Sequence, residues 1–266
     1  MSLKSRAGQW IKKHNRLDME QILVKVPGLA PEFESFKLIQ VSDTHLPRNA
    51  STIKQIAEKV RQERPDIILL TGDLTDRPTD ISQSSLFKLC RKLVRIAPCY
   101  GISGNHEKSS GQLDVWKKIL QRSSVKLVDD DFFIIRRQEA SLAVIGLAEN
   151  RPYVTDFLDH PHIKESCCRV LLVHRPQVWV RDYPSAKSLQ PHLVFSGHAH
   201  GGQVRLPFLG GLFAPDQGFL PRYTSGLYQL RNGVNAIVSR GLVSTVKPLR
   251  INNLPHIPVV TLTGRD

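Results

Sequence analysis

Long apolar runs are missing from this 266-residue chain. The longest, Ile67–Leu70 and Leu142–Leu147, fall far short of the ~20 residues that a helix needs to cross a bilayer. Lys4, Arg6, Lys12 and Lys13 are not followed by an apolar stretch of ~7–15 residues, so no signal peptide is expected. Cysteine is scarce too. Cys90, Cys99, Cys167 and Cys168 show no C-x-x-C spacing, which argues against a disulfide framework, a zinc ribbon and a thioredoxin-type site. Buried free thiols in a reducing cytosol are expected instead. Aromatic residues make up only 7%, with no stacking platform of the kind single-strand nucleic-acid binders use. No internal repeat, low-complexity segment or linker divides the chain.

Positive charge is what the sequence has in excess: 37 Lys+Arg against 24 Asp+Glu, a formal net charge of +13. Apolar (41%) and charged (23%) usage is otherwise that of a globular protein, which excludes a disordered or fibrous chain. The surplus gathers at both ends. Residues 1–26 hold Lys4, Arg6, Lys12, Lys13, Arg16 and Lys25 against Asp18 and Glu20. Residues 201–266 hold Arg205, Arg222, Arg231, Arg240, Lys247, Arg250 and Arg265 against Asp216 and Asp266. By itself this surplus suits nucleic acid, anionic lipid or an anionic small substrate.

Residues 1–36 read as a basic N-terminal segment with an edge strand over Gln21–Val26, closed by Pro27, Gly28 and Pro31. From residue 37 the pattern alternates. Lys37–Ser42 is a short β-rich run. Ile53, Ile56, Ala57 and Val60 then repeat at helical spacing behind Ser51 and Thr52 as candidate caps. Asp66–Thr71 reads as a buried strand, Leu86–Val94 as a second helix and Pro98–Ser103 as a third strand, which predicts parallel βαβ units. Val125–Val128, Phe132–Arg136 and Ala140–Leu147 are short strands with close turns, which predicts an antiparallel section. Arg169–Val173, Leu193–Ser196, Asn235–Ser239 and Pro258–Leu262 complete the strands. The whole reads as one α/β domain of two packed sheets with helices outside.

Chemistry-bearing residues sit just past strand ends, in the order Asp43-Thr44-His45, Gly72-Asp73 with Asp76, Gly104-Asn105-His106-Glu107, His174, and Gly197-His198-Ala199-His200-Gly201-Gly202. In open α/β sheets ligands bind beyond the carboxyl ends of strands, so these groups should converge in one cleft. Alone, Asp-x-His can be an ordinary loop pair and Gly-Asp only a turn. Five such pieces in order are far harder to explain that way. Two histidines among glycines bury little apolar area, and glycine lets the backbone approach a ligand closely. Carboxylate, imidazole and amide donors without thiolate suit Mn, Fe or Zn rather than a structural zinc site.

The order D-x-H, G-D-x-x-D, G-N-H-E, H, G-H-x-H resembles the calcineurin-like metallophosphoesterase superfamily, from about Lys37 to His200. The resemblance continues through Gly201–Pro207, Ser225–Tyr228, Val238–Gly241 and Arg250–Asn253. There it is similar to a bacterial branch of membrane-associated phosphodiesterases and UDP-2,3-diacylglucosamine pyrophosphatases of lipid A synthesis. The resemblance implies a four-layer αββα sandwich of two mixed sheets flanked by helices, with residues 37–266 as the metallophosphoesterase domain. It implies two divalent ions, with manganese the first expectation. Asp43, His45 and His200 would hold one, Asn105, His174 and His198 the other, and Asp73 would bridge both. A metal-bridging hydroxide would attack the phosphorus in line. His106 would protonate the leaving oxygen, oriented and kept charged by Asp76. Asp76 could instead be a turn cap. Arg77 and Arg48 could touch phosphate or simply be solvated, and Glu107 reads as a supporting or capping residue rather than a ligand.

His14, His160, His162, His192 and His256 match no motif and are expected on the surface or in packing. His256 stands where the family usually has an acidic residue, and the chain shows neither the transmembrane helix nor the twin-arginine signal of many branch members. Leu206, Pro207, Phe208, Leu209, Leu212, Phe213, Phe219 and Leu220 make either a lipid-facing loop or one packed under a sheet edge. The leading expectation is a cytoplasmic phosphohydrolase, peripheral on the inner-membrane face, that cleaves a lipid-linked nucleotide such as UDP-2,3-diacylglucosamine. The alternatives are a phosphodiesterase or phosphatase of soluble nucleotides or phosphoproteins, and a non-catalytic basic module binding lipid or nucleic acid. Nucleic acid is the weaker partner, and the sequence leaves the oligomeric state open.

Overall fold

Ile67-Ile68-Leu69-Leu70 is apolar at every position because the strand it forms is covered on both faces. Ile67 and Leu69 point into one core, Ile68 and Leu70 into another, and all four are buried. Each contributes about 1.5–3 kcal/mol by leaving water. The same division runs through the molecule. The computed structural model describes residues 17–46, 52–77, 80–149, 156–181, 189–230, 233–243 and 250–265. Ser51, Arg48, Arg231, Lys247, His14 and the basic residues before Leu17 lie outside these.

The strands in chain order are β1 (Asp18–Lys25), β2 (Lys37–Val41), β3 (Ile67–Thr71), β4 (Cys99–Ile102), β5 (Lys126–Leu127), β6 (Asp131–Arg137), β7 (Ala140–Leu147), β8 (Cys168–Val173) and β9 (Leu193–Ser196). Four two-residue strands follow: β10 (Arg205–Leu206), β11 (Gly210–Gly211), β12 (Phe213–Ala214) and β13 (Gly218–Phe219). The last are β14 (Gly226–Gln229), β15 (Asn235–Val238) and β16 (His256–Thr263). One six-stranded sheet has the order β1-β16-β2-β3-β4-β5, and the other β14-β15-β9-β8-β7-β6. Both are mixed. β2, β3, β4 and β5 run parallel, as do β7, β8, β9 and β15, while β16 lies antiparallel to β2 and β6 to β7.

Between the sheets lies a core that includes Phe33, Phe36, Leu38, Leu69, Tyr100, Val170 and Phe195. Helices Ile53–Glu63, Leu86–Val94 and Leu113–Arg122 cover the first sheet through Ile56, Val60, Leu89, Leu93, Trp116 and Leu120. Leu158, Ile163 and Leu189 cover the second. The result is the four-layer αββα sandwich that the motif order implied. Buried Gln40 ties the sheets together, its Nε2 donating to Thr71 Oγ1 and to the Ser196 carbonyl, both at 2.8 Å. Cys90, Cys99 and Cys168 are buried free thiols, and Cys167 is half-buried. Among the described residues no helix is long and apolar enough to cross a membrane.

Two sequence readings need correction. Val125–Val128 does not open the antiparallel section. Its Lys126–Leu127 core pairs parallel with β4 in the first sheet, because the helix Leu113–Arg122 carries the chain back across that sheet's outer face. That helix, and β14, have no counterpart among the elements read from sequence. Thr52 stands before its helix but makes no side-chain capping bond.

His192 and His256 are packing residues. His256 is fully buried, with Nε2 2.7 Å from Glu20 Oε2, so β16 is tied to β1. His192 Nδ1 accepts the Arg169 amide at 3.0 Å. Burial, then the charge of Arg169, pushes His192 down to about 4. An unfolded imidazole takes its proton near pH 6.5. Between those values the unfolded chain therefore binds the extra proton, and stability falls as the pH falls. Chemical denaturation at neutral and mildly acidic pH should show a smaller acid loss in His192→Asn, which can accept the same amide without titrating. An unchanged pH slope would remove this role.

Candidate metal centre

The side chains singled out above leave the sheets at the carboxyl ends of β2, β3, β4, β8 and β9, and the structure brings all of them together. Backbone conformation makes this geometry. Asp43 (φ 50°), His45 (39°), Asp73 (50°), His198 (66°) and His200 (46°) all adopt the left-handed region. That region costs about 1–2 kcal/mol for a residue with a Cβ, and such strain gathers where function over-determines the backbone. Two glycines make room. A Cβ on Gly104 would lie 2.2 Å from Asp73 Oδ1, and one on Gly197 would lie 2.4 Å from Asp43 Oδ2.

Three groups of donor atoms, each within 4.8 Å of one another, could hold a metal ion: Asp43, His45 and His200; Asp73, His174 and His198; and His45, Asp73 and His106. Asn105 joins the second group, its Oδ1 3.0 Å from His174 Nε2. Asp73 Oδ2 lies 3.3 Å from His174 Nε2, and the His45 ring stacks on His200 at 5.2 Å between centroids. The fit to cations shows in unmet bonding capacity. Both ring nitrogens of His45 and Asp43 Oδ2 are buried without a hydrogen-bond partner, a state that is costly unless something else engages them.

Protonation follows the environment. Burial pushes His45 down and His200 down to about 4, which keeps both in the neutral form that ligates metals. His200 Nδ1 donates to the Val243 carbonyl at 3.1 Å and His174 Nδ1 to the Thr71 carbonyl at 2.8 Å, so in each ring Nε2 is turned to the centre. Burial opposes charge on His174 as well, but Asp73 overrides it and drives the group up to about 10. Asp73 responds in turn. Against its own burial, His174, His45 and His106 hold its carboxyl far below the usual carboxylate range.

His106 sits at the rim, with a side chain 22% exposed, Nε2 3.8 Å from Asp73 Oδ2 and Nδ1 2.8 Å from Asp76 Oδ1. Arg77 is exposed, and its amide donates to Asp76 Oδ1 at 3.0 Å and to His106 Nδ1 at 3.1 Å. Glu107 is fully buried. Its carboxylate accepts the amides of Asp73, Thr75 and Gly104, each at 2.9 Å, and so clamps the β3 loop to the β4 loop. Burial, with Asp73 beside it, pushes Glu107 up to about 7.

Sequence reasoning missed four residues. Asp216 Oδ2 lies 2.9 Å from His198 Nε2 and 2.7 Å from Arg175 Nη1, and Arg175 Nε lies 2.5 Å from Glu149 Oε1. Arg250 Nη2 donates to the Val243 carbonyl that His200 also uses, at 3.0 Å. One signal was available: Asp216 is the only acidic residue between Gly201 and Arg265.

Imidazole, carboxylate and amide donors packed this closely at the strand ends of an αββα sandwich define a metallohydrolase centre for borderline to hard divalent ions. A family model, Calcineurin-like phosphoesterase, matches residues 36–202. The chain is 30% identical over 246 residues to the uncharacterized metallophosphoesterase YkuE of Bacillus subtilis, covering 88% of this chain and 81% of that protein. It is 25% identical to phosphodiesterase YaeI of Escherichia coli (85% and 82% covered) and 22% identical to the UDP-2,3-diacylglucosamine pyrophosphatase LpxG of Chlamydia muridarum (89% and 82%). The crystal structure of TT1561 of Thermus thermophilus shares the fold, with a TM-score of 0.51 at 13% identity over 78% of this chain and 90% of that one. The chain belongs to the calcineurin-like phosphoesterases, metal-dependent hydrolases of phosphoric esters that use a dinuclear centre.

Beside a carboxylate, His198 Nε2 must donate, which fixes the tautomer and leaves Nδ1 able to ligate. Groups that orient a ligating histidine in this way typically matter about 10–100-fold in metal affinity. Titration of Mn²⁺ into chelator-stripped protein should show a loss of that size in Asp216→Ala. Equal affinity would mean that Asp216 does not orient His198.

Proposed function

We propose that this chain hydrolyses a phosphodiester or pyrophosphate bond with two divalent ions. Asp43, His45 and His200 would hold one, Asn105, His174 and His198 the other, with Asp73 shared between them. The observation that carries this reading is the buried meeting of these donors, with both His45 nitrogens and Asp43 Oδ2 left without a hydrogen-bond partner. When bound, such ions neutralise phosphate charge and lower the pKa of an attacking water. The chain's own residues do the rest. His106, at the rim of the cluster, can pass a proton from Nε2 to the departing oxygen while Asp76 and the Arg77 amide position Nδ1. Glu107 keeps the Asp73 and Gly104 loops in register, and Gly104 and Gly197 leave room for the carboxylates.

The finer reading is a lipid-linked nucleotide such as UDP-2,3-diacylglucosamine, cleaved with manganese at the cytoplasmic face of an anionic membrane. Support comes from the net charge of +13 and from a relative that carries that substrate in its name. Residues 37–266 would carry the catalysis, with residues 1–36 as a basic segment and edge strand. The purified chain with Mn²⁺ should release UMP from UDP-2,3-diacylglucosamine. No UMP, alongside turnover of a bis-aryl phosphate, would keep the chemistry and point to soluble nucleotides instead. Asp73→Asn should abolish turnover of either substrate; retention would sink the two-metal reading. His106→Ala should lower kcat by about 10²–10⁴, the usual range for losing a general acid, with metal affinity unchanged.

A further inference from the structure

We propose that the two small hairpins that follow the His198–His200 loop form a wedge that inserts into the interface of an anionic bilayer and seats the metal centre on its surface. This rests on the lipid-linked reading above. The first observation is exposure. Phe208 is 108% exposed, Phe219 84%, Leu220 64% and Leu209 63%, with Leu206 and Phe213 partly uncovered beside them. Single exposed apolar residues are ordinary, but this many large ones on adjoining hairpins mark a surface that meets something apolar. Of the two readings open from sequence, a loop packed under a sheet edge is therefore not what forms.

The backbone at the hairpin tip points the same way. The β10–β11 turn runs Leu206-Pro207-Phe208-Leu209, with Phe208 at φ 68°. Proline followed by a left-handed residue is the pattern of a type II turn, where glycine is the unstrained choice. A phenylalanine held there, with its ring in water, does nothing for folding. Leu220 repeats the combination at φ 50°.

The wedge is fastened to the metal loop. The Leu212 amide approaches the Gly202 carbonyl at 3.1 Å and the Val204 carbonyl at 2.9 Å, and a Cβ on Gly202 would lie 2.4 Å from Gly211 Cα. Asp216, in the β12–β13 turn, reaches His198 Nε2. A membrane that takes up the hairpins therefore lies next to the donor cluster.

Charge selects the occupant. The chain has a net charge of +13, Arg222 lies exposed two residues past Leu220, and Asp216 is the only acid in the sequence from Gly201 to Arg265. That acid is engaged by Arg175. A second copy of the chain would set like charge against like charge, whereas anionic headgroups attract this segment while the apolar tips supply insertion.

Co-sedimentation with vesicles of phosphatidylglycerol and phosphatidylcholine, and of phosphatidylcholine alone, tests the wedge. The wild type should bind the anionic vesicles, less so at high salt. A quadruple variant (Phe208→Ser, Leu209→Ser, Phe219→Ser, Leu220→Ser) should bind about tenfold more weakly or worse, with melting temperature and metal content unchanged. In a separate check that does not depend on the quadruple variant folding, Phe208→Trp should add a blue-shifted emission on meeting anionic vesicles. The proposal falls if wild type ignores the vesicles, if the quadruple variant binds as well as wild type, or if the substitutions only convert a dimer to a monomer. Vesicle binding without UMP release would retain the wedge and overturn the substrate reading. UMP release without vesicle binding would do the reverse.

Discussion

Asp73 is held from four directions, and the rest of the centre is arranged around it. Its amide donates to Glu107, its carbonyl accepts the His45 amide, its Oδ1 accepts the His106 amide and its Oδ2 faces His174. These partners come from the loops after β2, β4 and β8, so one carboxylate joins both sheets. A buried carboxylate with fewer partners would have to be neutral. Here its charge is kept, and that charge attracts imidazoles and metals alike.

This arrangement needs rigid support, and the layered core supplies it. Strands covered on both faces give up their apolar surface at every residue, and Gln40 bonds across the inter-sheet space close to the site. The cost of five left-handed backbone positions and several buried polar atoms is offset by that packing. Local strain at the centre and order in the sheets belong together. Glycine at positions 104 and 197 does the same work by subtraction, because any side chain there would occupy the place of a carboxylate oxygen.

Much of the fold was legible because period and punctuation are local. The helix over Ile53–Glu63 follows from its apolar spacing, and the Ala140–Leu147 strand from an apolar run ended by a turn. The helix Leu113–Arg122 was not legible. Only Trp116 and Leu120 are buried in it, and four charged side chains interrupt the apolar pattern. Val125–Val128 read as part of a hairpin because its neighbour in sequence is a hairpin, while its partner in space is β4. At the site, each metal-donor candidate stood just past a strand end, and all but His174 had a glycine, acid or histidine close by that named it. Asp216 had no such neighbours.

The sequence by itself determined which donors exist, their order along the chain and the class of ion they suit, since ligand chemistry belongs to side-chain type. It also determined two packed sheets with helices outside, because strand-helix alternation and doubly buried strands admit few architectures, while the four-layer sandwich was what the family resemblance implied. The pairing of Asp216 with His198 and with Arg175, the clamp that Glu107 makes and the exposure of Phe208 and Phe219 were decided only by tertiary structure. Those depend on which distant segments approach and which surfaces stay uncovered. No local pattern encodes either.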